Sequence, residues 1–174
     1  MFETTKYVID KNLVAVIYGV KDVNGNQLGH VKAKGASMGH VKFGFEDNAG
    51  AQLGEIDGKA ISLHPEYEIK DKDGQLKARI KKKALKLFRS EWWMEDPQGQ
   101  QLAKAEGDFG GHNYQILEPS GGVIAQIHKK WVSMRNSYSI EILRQDFDPF
   151  LILSYTIAMD FVEHMPRRGL PLIP

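Results

Sequence analysis

The 174-residue chain contains no cysteine. This excludes disulfide frameworks and thiolate metal sites, and nothing implies export into an oxidising compartment. A strong charge imbalance is also missing: 23 lysines and arginines face 22 aspartates and glutamates, for a formal net charge of +1. Coating nucleic acid demands a larger positive excess, so nucleic acid is not an expected partner, although local basic patches stay open. The N-terminal MFETTKYVIDKNLVAV has Glu3 and no long apolar core, so it does not read as a signal peptide. The expected location is cytoplasmic, with peripheral membrane contact left open. Long hydrophobic runs are absent but for one, DPFLILSYTIAMDFVEH from Asp148 to His164. Ser154, Thr156 and Asp160 interrupt it, and a membrane span needs about 20 apolar residues. No transmembrane span is expected.

Familiar chemical signatures are missing as well. The histidines His30, His40, His64, His112, His128 and His164 fall into no metal-ligand spacing. No nucleophile elbow, phosphate loop or dinucleotide fingerprint occurs. GDFGGH, from Gly107 to His112, is glycine-rich but sits between strand patterns rather than opening a helix, so it reads as a loop or bend. Neighbouring carboxylates such as Asp71 with Asp73 and Glu95 with Asp96 occupy turn sequences, where side chains of this kind bond the turn backbone. No catalytic residue, metal or cofactor is therefore expected, and the chain does not read as an enzyme.

What is present is repetition. YGVKDVNGNQLGHV, FGFEDNAGAQLGEI, YEIKDKDGQLKARI, WWMEDPQGQQLAKA and YQILEPSGGVIAQI each run from an apolar strand through an acidic residue and a glycine turn into a second strand. The glycines Gly25, Gly50, Gly74, Gly99 and Gly121 recur at roughly 24-residue intervals, the length of a hairpin with its connection. Alternation around them, as in Tyr67 and Ile69 or Leu76, Ala78 and Ile80, gives each strand one buried face. A sixth unit starts at Tyr138 but leads through RQDFDPF into the apolar run.

That run predicts a helix over about 149–164, with Asp148 as N-cap and Pro149 in the first turn. Thr156, Asp160 and Glu163 form a narrow polar stripe, and large apolar residues cover the rest of the circumference. Such a helix must be enclosed. Burying Phe150, Leu151, Ile152, Leu153, Tyr155, Ile157, Met159, Phe161 and Val162 contributes, gross, on the order of 15 to 25 kcal/mol. A meander of hairpins has the complementary difficulty of open edges and an uncovered apolar face. Wrapping the sheet round the helix resolves both, so the expected fold is an all-β closed antiparallel barrel with a buried C-terminal helix. Composition, 42% hydrophobic and 26% charged, suits one globular domain over 1–174, with 165–174 as a tail.

The hairpins, the strand KKWVSMRNSYSIEIL and the following DFDPFLILSYTIAMDFVEH resemble the LURP-one-related family, part of the tubby C-terminal-like and phospholipid-scramblase-like superfamily. The resemblance runs from Lys6 to His164. It implies a barrel of about twelve strands around a hydrophobic helix. Functionally it implies little, since many members have no established activity. Scramblase relatives draw attention to Asp146 and Asp148 as a calcium loop, but two aspartates are few for an ion that takes six to eight oxygens. Helix capping already accounts for Asp148.

The most lopsided charge feature is LKARIKKKALKLFRS, Leu76 to Ser90, which holds Lys77, Arg79, Lys81, Lys82, Lys83, Lys86 and Arg89 and no acid. Alternation turns Lys77, Arg79, Lys81 and Lys83 outward. Lys129, Lys130 and Arg135 hold the corresponding place in a later repeat and extend the stripe if the strands are close. The expectation is a non-enzymatic module that binds anionic phospholipid or phosphoinositide headgroups through these residues. Its alternatives are a protein-interaction or regulatory module with no lipid role, and scramblase-like lipid handling. Alternation sends Trp92 and Trp93 to opposite faces, so that one of them either meets a membrane interface or packs under a neighbouring loop.

Overall fold

In the computed structural model, residues 1–12, 17–37, 40–59, 65–84, 90–107, 113–132 and 135–164 are described. They form β1 (Lys6–Asn12), β2 (Ile17–Lys21), β3 (Gln27–Ser37), β4 (His40–Asp47), β5 (Gln52–Lys59), β6 (Glu66–Asp71), β7 (Leu76–Ala84), β8 (Ser90–Glu95), β9 (Gln101–Gly107), β10 (Asn113–Leu117), β11 (Val123–Val132), β12 (Arg135–Ile142) and α1 (Pro149–His164). Each strand pairs antiparallel with its neighbours in the chain, and β1 closes on β12 with Tyr7 opposite Ile140 and Lys11 opposite Asn136. Closure leaves no open edge for another chain to extend. The expected barrel is present with twelve strands, the first of which, KYVIDKN, lacks the repeated turn and serves to shut the sheet.

The five repeated turns share one construction. In the β6–β7 turn, the backbone N–H groups of Asp73 and Gln75 donate to Oδ1 of Asp71 at 3.0 and 2.9 Å. Gly74 N–H donates to the Asp71 carbonyl at 3.0 Å. The turns after Asp22, Asp47 and Asp96 repeat this side-chain bonding. The turn glycines Gly25, Gly50, Gly74, Gly99 and Gly121 have φ between 78° and 99°, a region other residues enter only at a cost. Glu118 holds the fifth acidic position, and its longer side chain instead takes the Ser120 hydroxyl at 3.0 Å and the Arg144 guanidinium.

Helix α1 runs through the barrel from the turn end to the other, and every residue from Phe150 to Phe161 is buried. Asp148 caps it as expected, its Oδ1 accepting the Phe150 N–H at 2.9 Å. The wall presents Ile9, Val20, Val31, Phe43, Ile56, Ile69, Ile80, Met94 and Ile127 to it, all fully buried. Leu76, expected on that inner face, is half-buried beside its turn. At β5 the helix leaves no room for a side chain on the wall: a Cβ on Gly54 would sit 2.5 Å from Cζ of Phe150. Phe150 in turn stacks edge-on against Phe45, ring centroids 5.0 Å apart, and Phe2 covers both.

Candidate functional site

On the outer face, β7 carries exposed Lys77 and Lys83 with partly exposed Arg79 and Lys81 between them. Neighbouring strands set acids opposite: Glu66 faces Lys81 and Glu68 faces Arg79 from β6, while Glu91 faces Lys83 and Glu95 faces Arg79 from β8. Lys81 Nζ lies 2.6 Å from Glu95, and this bond holds the Glu95 carboxyl below the usual carboxylate range against the opposing effect of its burial. Arg79 Nε stands 3.8 Å from both Glu66 and Glu68. Among the described residues, Lys77 and Lys83 form no ion pair. The stripe seen in sequence is thus one rail of a ladder of alternating charge.

Trp93 also faces outward, half-buried, with Lys81 and Lys104 beside it in register on either strand. Its indole N–H donates to Glu95 Oε1 at 2.7 Å. Trp92 points into the core and is fully buried. Lys82 shares that inner face, its ammonium 5.1 Å from the Trp92 ring centroid. Lys86 and Arg89 lie outside the described residues, as do the side chains of Lys130 and Arg135. Lys129 is buried on the inner face of β11, which β8, β9 and β10 separate from β7.

A second polar assembly lies inside, towards the end remote from the glycine turns. Asp160 of α1 is 3% exposed and accepts a bond from Lys11 Nζ of β1 at 2.7 Å. Tyr18 of β2 donates its hydroxyl to the same carboxylate at 2.9 Å, and Tyr138 of β12 donates to the other oxygen. Lys11 and Lys129 lie over aromatic rings, 5.4 Å from the Tyr18 centroid and 5.6 Å from that of Tyr138. Burial pulls the Lys129 ammonium below the ordinary lysine range, while Asp160 acts in the opposite sense. Burial, reinforced by the Asp160 charge, pushes the phenols of Tyr18 and Tyr138 up. The sequence reading missed this cluster. The signal was there: Lys11 follows Tyr7 and Ile9 at the inward parity of β1, and Lys129 follows Ile127 at that of β11.

Residues 5–160 match the family model for LURP-one-related proteins. The chain belongs to the LURP-one-related family. A crystal structure of a protein from Arabidopsis thaliana superposes with a TM-score of 0.62 at 16% identity, covering 91% of each chain, which is a likeness of fold. No curated protein matches in sequence. Membership of the LURP-one-related family leaves the role either unknown or one of binding.

In this LURP-one-related chain the loop before the helix is already bonded internally. Arg144 donates to both carboxylate oxygens of Asp146, at 2.7 and 2.5 Å, and its other arm reaches Glu118. Among the described histidines, His30 lies 3.1 Å from Glu46 and His128 Nδ1 lies 2.7 Å from Asn113. His64 and His112 fall outside the described residues, as does most of the GDFGGH loop. No described helix is long and apolar enough to cross a membrane.

Proposed function

We propose that this LURP-one-related protein is a non-catalytic binding module that docks on an anionic phospholipid surface with the outer face of β7, β8 and β9. The observation carrying this reading is the outward Trp93 standing between Lys81 and Lys104 in cross-strand register, with exposed Lys83 beside them. An indole suits the boundary between headgroups and acyl chains. Each nearby basic residue adds about 1 kcal/mol of attraction to an anionic leaflet. Glu66, Glu91 and Glu95 on the same face oppose that attraction, so the reading calls for docking that depends on the tryptophan as well as on charge. The barrel stays closed in this function, with α1 as its structural centre.

The test is co-sedimentation of the whole protein with vesicles of phosphatidylcholine containing graded phosphatidylserine or phosphoinositide, at low and physiological salt. Wild type is expected to bind saturably at physiological salt. Trp93→Ala and the double variant Lys81→Ser/Lys83→Ser are expected to lose most of it. Equal binding by all three, or binding confined to low salt, would reject the lipid reading and leave the mixed-charge ladder as a surface for a protein partner.

A further inference from the structure

Two groups on which docking by the outer face relies, the Lys81 ammonium and the Trp93 indole N–H, are both engaged by one side chain. Glu95 accepts from Lys81 Nζ through Oε2 at 2.6 Å and from Trp93 Nε1 through Oε1 at 2.7 Å. Lys81 stands opposite Trp93 across β7 and β8, and Glu95 lies two residues along β8 at the same outward parity. An indole has a single donor, so Trp93 offers it to nothing else while Glu95 holds it. The side chains of Lys81 and Glu95 both keep partial exposure, so this arrangement opens on solvent at the barrel surface.

A carboxylate that bridges these two donors shows what else fits them. Two oxygens of one phosphate group present the same pair of acceptors with the same sign of charge. At a bilayer boundary an indole turns its ring to the acyl chains and its N–H to the headgroups. The headgroup phosphate then arrives where the Glu95 carboxylate sits. Arg79 gives a displaced carboxylate its next partner, since it faces Glu95 in register and its charge already bears on that carboxyl. Glu91 differs from Glu95 although it shares the outer face. It is exposed, lies opposite Lys83, and among the described residues bonds neither Trp93 nor Lys81.

We propose that Lys81 Nζ and the Trp93 indole N–H together seat the headgroup phosphate of an anionic phospholipid, and that Glu95 is the internal competitor this phosphate displaces toward Arg79. The inference rests on the outer face docking on lipid, and it adds the contact made and the residue that tunes its strength. An anionic leaflet supplies the phosphate and also repels the carboxylate. A zwitterionic leaflet supplies phosphate without that repulsion, so Glu95 keeps its place. Glu95 thereby sets how much anionic lipid a surface must hold before the protein docks.

The experiment compares co-sedimentation of the whole wild-type protein, Glu95→Gln, Glu91→Gln and Trp93→Ala with vesicles of phosphatidylcholine and graded phosphatidylinositol at physiological salt. Each glutamine variant removes one negative charge from the same face, so charge alone calls for equal gains. Glu95→Gln is expected to bind about tenfold more tightly than Glu91→Gln, the size expected for freeing a donor from a bond to a charged group. NMR of the wild type follows the Trp93 indole N–H signal, assigned by its loss in Trp93→Ala, during titration with a short-chain phosphatidylinositol. That signal is expected to shift saturably while the signal of the buried Trp92 stays in place. Equal gains in the two glutamine variants, with binding still lost in Trp93→Ala, would keep the lipid reading and overturn the role of Glu95. Weaker binding by Glu95→Gln would overturn it too, and would make Glu95 a support that holds Trp93 in position. Absence of Trp93-dependent binding from the wild type and both glutamine variants would reject the lipid reading and the phosphate seat with it.

Discussion

An ammonium bonds a carboxylate in two contrasting places, Lys81 with Glu95 at 2.6 Å on the outer face and Lys11 with Asp160 at 2.7 Å within the barrel. The distances are nearly equal and the surroundings are not. The outer side chains are 29% and 16% exposed, the inner ones 9% and 1%. Outside, water already solvates each partner, so forming the pair gains little and losing it costs little. Inside, desolvation offsets most of the attraction, but removing one partner strands the other. Stability against mutation therefore follows the solvent and not the bond length.

The comparison breaks most violently if charge enters the core with no partner. Ile157→Asp, at 1% exposure on the buried helix, is expected to abolish cooperative thermal unfolding. A variant that kept its transition and its compactness by scattering would refute the enclosed helix. Next comes Asp160→Ala, which should lower stability by about 3 to 5 kcal/mol in urea denaturation. Joined to Lys11→Met, it should recover part of that loss, and strict additivity would deny the coupling.

A pH titration sharpens the contrast without mutation. All six tyrosines are buried, and burial pushes the Tyr7 phenol from 10.0 up to about 12. A phenol with a folded-state pKa above its unfolded value leaves stability intact below pH 10 and erodes it as pH climbs past that point. Absorbance at 295 nm should show almost no phenolate at pH 10 in the native protein and half-ionisation in urea. Substantial native ionisation at that pH would mean that water reaches the interior. The smallest effect is expected for Lys81→Ala, within about 1 kcal/mol. A larger loss would show the outer ladder acting as a cooperative network.

How much of this was legible in the sequence divides along the same line between local and distant contacts. The turns were readable because Asp71 bonds residues only two and four positions on, and the helix start because Asp148 caps Phe150 next door. Strand parity was readable from Ala78 and Ile80, and the same parity sends Lys82 inward, away from the stripe it seemed to join by proximity in the chain. The cluster at Asp160 was not read, since its bond to Lys11 spans 149 residues. Nor could the stripe show its own neutralisation: Glu66, Glu68 and Glu95 reach it through strand pairing, not through adjacency in the sequence.

The position of α1 has a consequence for how the protein is made. The strand that completes the barrel, β12, and the helix that fills it are translated after the other eleven strands, over residues 135–164. Until they leave the ribosome, eleven strands carry an inner face lined with Phe43, Phe45, Tyr67, Trp92 and Met94 and have nothing to fold around. A nascent chain in that condition exposes open edges and a large apolar surface together, which is the state most prone to aggregate. Folding of the barrel therefore waits for residues 135–164, and a ribosome stalled before codon 149 releases a product that needs a chaperone or a protease.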